Sequence, residues 1–276
     1  PPARMLYACT PAQPDVTCLL KRGDTRMPAA AVAAGGVAAV TGPSSDFALV
    51  PDSPEAERRA ALARWITHRD NPLFARVIVN RVWHYHFGVG LVDTPNDFGF
   101  NGGRPTHPEL LDWLATEFAQ GGYRLKELHR LLVTSATYQQ QSIPRGEAVA
   151  IDRENRWLWR RTPQRLEAES LRDAMLVAAG RLQHTGGGPG FADYQELNRA
   201  GTWSYLPADR EGPQFERRTI YRTATRGGRG GLLDAFDCPD PSTTTPRRAI
   251  TTTPLQALAL LNNSFVLPMS DALAKR

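Results

Sequence analysis

The sequence predicts a mainly α protein: a multi-helix domain with long irregular loops and at most a small sheet, preceded by an extended linker. Apolar residues recur at helical spacing in successive stretches from Ser53 onward. Capping residues stand where those stretches begin, at Ser53-Pro54, Asn71-Pro72, Thr106-x-x-Glu109 and Thr253-x-x-Gln256. Strand-like runs are brief, at 16–20 and 217–222.

Residues 1–53 differ in composition from the rest. Residues 16–20 read as a short strand, Lys21-Arg22-Gly23-Asp24 as a turn, and 29–45 as a weakly structured Ala/Gly/Pro-rich run. This segment is a linker or the remnant of a preceding domain, and residues 54–276 are the helical domain. The opening Pro1-Pro2 reads as part of a longer chain.

The first helix runs from Ser53 to about His68 through Leu62, Trp65 and Ile66. The next, 71–88, takes Asn71 as N-cap and Pro72 as first helical residue, and stops at Gly88 and Gly90. It is apolar over most of its circumference and so belongs in a core. Arg76, Asn80 and His84 line one face with Arg81 on its flank, while Val79, Val82 and His86 fall on the far side. Residues 91–106 form a long Gly/Asn/Pro loop, of a length often kept for function. The box at Thr106 opens a helix that buries Leu110, Leu111, Leu114 and Phe118. Residues 125–138 repeat the pattern with Leu125, Leu128, Leu131 and Leu132, giving an antiparallel pair. A long helix starts at Thr162-Pro163 and buries Leu166, Leu171, Ala174, Met175, Val177, Ala178 and Leu182. Residues 183–216 read as irregular, and a last helix from Thr253 turns Leu258, Leu261 and Phe265 inward.

Across its 276 residues the chain is 41% hydrophobic and 22% charged, an ordinary globular balance. The net charge of +5 comes from arginines interleaved with acids, a pattern of ion pairs and not of a phosphate-binding surface, so no nucleic-acid partner is expected. Residues 29–40, the longest small-apolar run, are too short and too interrupted by glycine to span a bilayer. The cysteines Cys9, Cys18 and Cys238 fit no CxxCH or zinc spacing, so no haem or metal site is expected in this chain. Cys9 and Cys18 either pair in an oxidising compartment or remain thiols. Neither Gly-x-Ser-x-Gly nor His-Glu-x-x-His occurs, and Gly186–Gly190 lacks the Lys and Ser/Thr of a phosphate loop.

An ordered string of motifs runs through the helical part. It includes Asn71-Pro72-Leu73, Val79-Asn80-Arg81, His86-Phe87-Gly88-x-Gly90-Leu91-Val92, Asp97-Phe98-Gly99 and His107-Pro108-Glu109. It continues through Ser135-Ala136-Thr137-Tyr138, Arg165-Leu166-x-Ala168-Glu169, Arg172-Asp173, Arg217-Arg218-x-Ile220-Tyr221, Phe236-Asp237-x-Pro239 and Thr253-Pro254-Leu255-Gln256. Over roughly residues 54–270 this resembles the C-terminal domain of unknown function in planctomycete proteins that carry cytochrome-c domains. The resemblance implies an exported multi-domain protein with an extracytoplasmic location. It also implies haem c on a separate upstream domain, with that domain as partner.

The polar residues offer candidate sites, each with a structural alternative. His84, Asp97 and His107 surround the 91–106 loop, while Glu169 and Asp173 are adjacent on their helix as a carboxylate pair. These five are the catalytic candidates. Arg76, Asn80, Arg172, Arg217 and Arg218 are the substrate-binding candidates, with Arg217-Arg218 beside Tyr221 suited to an acidic sugar or carboxylate. The alternative is a set of ion pairs, Arg76 and His84 with carboxylates of 93–112 and Glu169/Asp173 with Arg165 or Arg172. The stripe of Arg76, Asn80 and Arg81 is expected to face Glu169 and Asp173 across the loop. Two functions follow: an interaction or scaffold module, or an enzyme acting on extracellular polysaccharide, redox-coupled to an upstream haem.

Overall fold

The computed structural model describes residues 10–208, 212–226, 228 and 230–276. The chain forms two compact units, Pro1–Thr162 and Pro163–Arg276. Helices dominate, and the sheets among the described residues are two small antiparallel pairs. None of the described helices is long and apolar enough to cross a membrane. Cys9 lies outside the described residues, and its pairing with Cys18 with it.

The first unit opens with the hairpin of β1 (Cys18–Leu20) and β2 (Pro28–Ala31), which is almost wholly exposed. The expected turn between them is a single turn of 3-10 helix, Lys21–Gly23. Helix α1 spans Glu55–Ile66, and Ser53 is not its cap. The Ser53 hydroxyl accepts the Val50 N–H at 3.0 Å, and Gln13 takes over the capping role, its Oε1 accepting the Glu55 N–H at 3.0 Å. The leading segment therefore supplies a cap to the helix it precedes. Of α1 only Ala61 is buried, and the expected inward residues Leu62 and Ile66 are exposed.

Helix α2 (Phe74–Phe87) starts later than expected. Asn71 Oδ1 accepts the Leu73 N–H at 3.0 Å in a turn ahead of the helix, and Arg76 Nη1 donates to the Pro72 carbonyl at 2.6 Å. Gly88 ends it in the left-handed region at φ 86, its N–H bonded to the His84 carbonyl. Val79, Trp83 and Phe87 from α2 meet Leu111, Leu114 and Phe118 from α3 (Pro108–Gln120) and Leu128 and Leu132 from α4 (Leu125–Val133). The loop residues Leu91 and Val92 complete this core.

Two expectations about these helices are corrected. The capping box at Thr106 does not form: His107 is the N-cap, because Thr106 bonds instead to the Leu91 carbonyl, through its N–H at 2.9 Å and its hydroxyl at 3.4 Å. Helix α4 ends at Val133, not near Tyr138. The Thr134 N–H still closes on the Arg130 carbonyl, but Ser135 donates its hydroxyl to Leu132, and the chain turns to bring Tyr138 edge-on to Phe87 at 5.7 Å. The buried face of α4 is Leu128 and Leu132, and Leu125 and Leu131 are exposed. A short α5 (Gly146–Ile151), unmarked by any strong pattern, follows.

In the second unit, α6 (Ala168–Ala178) is shorter than expected and turned about its axis. Residue Glu167 is extended at its N-cap, and the buried face is Ala168, Arg172 and Leu176, leaving Leu166 and Val177 exposed. Residues 183–216 are not all irregular: β3 (Tyr194–Arg199) and β4 (Thr202–Pro207) form a hairpin in register Asn198↔Trp203. Its two-residue loop places Ala200 at φ 50 and Gly201 at φ 85, the turn whose twist matches paired strands. The segment expected as a strand, 217–222, is a 3-10 turn (Thr219–Tyr221) flanked by single parallel bridges, Gln183↔Arg217 and Phe191↔Arg222.

Helix α7 (Gly231–Ala235) precedes α8 (Pro254–Asn262) and α9 (Val266–Ala274), which replace the single last helix. Asn263 breaks it, its Oδ1 accepting the Phe265 N–H at 2.9 Å. The Thr253/Gln256 capping box is present. The buried side of α8 is nonetheless Gln256, which reaches Thr251 and Asp237, while Leu258 and Leu261 are exposed. Ala168, Leu232, Leu233, Phe236 and Val266 form the core here, with Leu176, Ala179 and Met269 beside them as a second cluster.

Candidate functional site

Arg76, Asn80, His84, Asp97 and His107 belong to the first unit; Glu169, Arg172, Asp173, Arg217 and Arg218 belong to the second. In the first, Asn80 is fully buried, at 0% exposure. Its amide closes a two-way bond with one residue: Nδ2 donates to the Val92 carbonyl at 2.9 Å and Oδ1 accepts the Val92 N–H at 2.8 Å. Asn80 is therefore a brace between α2 and the loop that follows it, and no part of it is open to a ligand. Gly90 lies in the bend it braces, where an added Cβ would sit 2.4 Å from the Val92 carbonyl oxygen and 2.8 Å from Asn80 Nδ2. Gly90→Ala is expected to cost ~1–3 kcal/mol in urea unfolding, as overpacking against backbone does.

The other polar groups of this unit pair locally. Arg76 Nε donates to Asp112 Oδ1 at 2.6 Å, and that hydrogen bond holds the Asp112 carboxyl below its ordinary range. Arg81 donates to Asn96 Oδ1 at 2.6 Å, and Arg156 pairs with Asp93 at 3.3 Å. Asp97 shapes the loop: its Oδ1 accepts the Gly99 N–H at 2.8 Å, and its carbonyl accepts the Thr94 hydroxyl. His107 shares a 2.9 Å hydrogen bond between Nδ1 and the Thr106 hydroxyl. His84 is half-buried, its ring edge-on to Tyr85 at 5.7 Å.

His86, read from the sequence as a core histidine, has a partner that sequence reasoning missed. His86 Nε2 and His129 Nδ1 stand 2.7 Å apart, beside Tyr138, over whose ring Arg161 lies at 4.2 Å. Burial first, then the neighbouring His129 and Arg161, lower the His86 pKa. Below its usual titration near pH 6.5 the unfolded chain binds a proton here that the folded chain resists. Stability is therefore fully present above that pH and declines as pH falls towards the depressed folded value. Denaturation between about pH 7 and pH 5 is expected to give this decline in the wild type and a flatter profile in His86→Gln. A wild-type profile already flat across that window would contradict it.

In the second unit, Glu169 forms a two-pronged pair with Arg248, Nη1 to Oε2 at 2.6 Å and Nη2 to Oε1 at 2.9 Å. Burial raises its carboxyl, but the hydrogen bonds and charge of Arg248, with the backbone and Cys238 hydrogen bonds, together outweigh it and leave the pKa lowered. Cys238 donates its thiol to Glu169 Oε1 at 3.7 Å, and burial pushes that thiol up to about 11, which makes it unreactive. Asp173 Oδ1 accepts both the N–H and the hydroxyl of Thr219 at 2.7 Å, and Oδ2 pairs with Arg218 at 3.3 Å. Arg217 donates to the Pro189 and Gly187 carbonyls and lies over Tyr221 at 4.2 Å, tying the glycine-rich loop to the 217–221 segment. Arg248 and Thr219 were not legible as partners, being far from Glu169 and Asp173 in sequence.

A cavity of about 320 Å³ opens in this unit, lined in part by Arg172, Asp193, Phe215, Leu233, Phe265 and Met269. Arg172 is buried, at 6% exposure, between the rings of Phe191 at 5.3 Å and Phe265 at 4.8 Å. Its Nη1 donates to the Arg217 carbonyl at 3.0 Å and the Thr219 hydroxyl at 3.2 Å, and its Nη2 to the Phe215 carbonyl at 2.6 Å. Two acids line the cavity, and each has its own cation: Asp193 is bonded to Arg222 at 2.8 Å and Glu216 to Arg181 at 3.2 Å. Arg172 was a binding candidate from the sequence; the cavity walls around it were not.

Fold and site together define a helix-dominated domain of two units, in which the acidic candidates Asp97, Glu169 and Asp173 are tied into the structure and a buried arginine faces a cavity. Among the described residues no group of three or more His, Cys, Asp or Glu side chains is placed to hold a metal. The chain belongs to the family described as PSD1, protein of unknown function (DUF1553), whose model matches residues 58–276. No curated protein and no solved structure matches it.

Proposed function

We propose that the chain is a non-catalytic interaction or scaffold module, the C-terminal domain of an exported multi-domain cytochrome-linked protein whose partner is an upstream haem-c domain. The observation that supports this is the use made of the acids. Asp97 forms a turn, Glu169 is neutralised by Arg248, and Asp173 accepts from Thr219 and Arg218. General acid–base chemistry needs a carboxyl free to exchange a proton with substrate, and these are bound in place. The motif string quoted above supports the cytochrome linkage and the extracytoplasmic location.

A second reading, an enzyme on extracellular polysaccharide, draws on the exposed aromatic side chains Tyr85, Phe100 and Trp157 of the first unit, which suit stacking on sugar rings. The two readings part in one experiment. The purified chain is titrated against a separately produced c-type haem domain from the same class of protein, followed by sedimentation, and is also incubated with soluble polysaccharides. Saturable association without new reducing ends supports the module. Cleavage that is lost in Glu169→Gln or Asp173→Asn, without association, overturns it.

A further inference from the structure

We propose that the cavity of the second unit binds a small organic carboxylate with an apolar body, its carboxylate held by Arg172 and its body by Phe215, Leu233, Phe265 and Met269. The inference goes beyond the scaffold role and does not rest on it. Three features of the cavity carry it, beginning with donor supply. A guanidinium offers five N–H groups. The bonds of Arg172 to Arg217, Thr219 and Phe215 engage three of them, and no described residue accepts from the remaining two. A buried arginine with unengaged donors gains most from a planar, two-oxygen acceptor, whose geometry matches its fork.

Charge points the same way. Asp193 and Glu216 are each matched by their own arginine, Arg222 and Arg181, so Arg172 is the lining cation that lacks a directly bonded carboxylate among the described residues. Desolvation weighs against its charged form, with Asp193 and Asp173 offsetting part of that, so an incoming anion would complete the compensation. Shape and lining then set the rest of the ligand. At about 320 Å³ the cavity stands at the small end of ligand pockets, and the buried Leu232, Leu233 and Met269 make much of its wall apolar. An aromatic or branched aliphatic acid of few atoms fits that description; a sugar, with a hydroxyl on nearly every carbon, does not.

The test uses the whole chain and phenylacetate, with phenylacetamide as its neutral counterpart and inorganic phosphate as a bare anion. Calorimetric titration is expected to give saturable phenylacetate binding, with phenylacetamide and phosphate each weaker by at least about tenfold. Arg172→Met is expected to abolish binding, and its fold is checked by circular dichroism because Arg172 also ties the 215–219 segment. Ser264→Trp serves as the second variant: Ser264 is exposed and lines the cavity, so the indole fills the space without touching the arginine's bonds. It too is expected to lose phenylacetate binding while melting like the wild type. Equal binding of acid and amide, equal binding of phosphate, no binding by the wild type, or undiminished binding in a folded Ser264→Trp chain would each overturn the assignment.

Discussion

Asn80→Leu is expected to lower the stability of the first unit by roughly 2–6 kcal/mol, the cost of leaving two buried backbone groups without partners at ~1–3 kcal/mol each. Leucine keeps the branching of the amide but carries larger methyl groups, so some overpacking against Val92 adds to the loss of the hydrogen bonds. In the wild type the Val92 N–H and carbonyl both terminate on the Asn80 amide, and Asn80 and Val92 are sealed from solvent at 0% and 2% exposure. No water can replace the amide without opening the core formed by Val79, Leu91 and Leu114. Asn80→Asp is expected to fail as well: it keeps the acceptor for the Val92 N–H, loses the donor to the carbonyl, and buries a charge. Urea unfolding of both variants checks this. A midpoint for Asn80→Leu within about 0.5 kcal/mol of wild type would contradict the bracing role, since surface polar residues commonly change by no more than that.

Asn80 also marks where sequence reasoning reached and where it stopped. Helical periodicity placed Arg76, Asn80 and His84 on one stripe of α2, and that stripe exists. Periodicity reports the face a residue occupies, but not what stands opposite it. The chain reverses at Gly88 and brings Val92 back over Asn80, so the middle of the stripe is the most buried polar position of that helix, while its neighbour Arg76 reaches half-exposed Asp112. The helices α2 and α3 were legible because each carries an apolar face with a glycine at or just beyond its end. The hairpin of β3 and β4 was not legible, because its turn is Ala200-Gly201 and not the Asn-Gly or Asp-Gly that announces such a loop. Asn198 supplies what the turn sequence lacks, its Oδ1 accepting the Gly201 N–H at 3.0 Å.

The rotation of α6 has the same origin. By hydropathy Arg172 belongs outside, and Leu166 and Val177 inside. The 215–219 segment presents two carbonyls and a hydroxyl that the Arg172 guanidinium satisfies together, and this long-range match outweighs the local pattern. Single-sequence periodicity carries no information on acceptors more than forty residues away. Arg248, which neutralises Glu169, is farther still, at a separation of 79 residues. The identity of the candidate residues was readable in the sequence, and their employment was not.

That employment is the central claim, and Asp173 tests it. Its carboxylate satisfies the N–H and hydroxyl of buried Thr219, and it stands near the buried Arg172, whose charge it helps to balance. Asp173→Ala removes all of this at once and is expected to cost roughly 2–4 kcal/mol, less than a fully buried pair because Arg218 is largely solvated. Asp173→Asn is expected to cost less than half as much, since an amide oxygen can still accept from Thr219 and what is lost is the charge and the bond to largely solvated Arg218. The measurement is equilibrium urea unfolding of the whole chain for wild type, Asp173→Asn and Asp173→Ala under one buffer and salt. A graded loss of stability in that order is the result expected if the acids of this domain hold its fold. Unfolding curves for all three that superimpose would show Asp173 free of structural duty, and would return it to the candidates for chemistry.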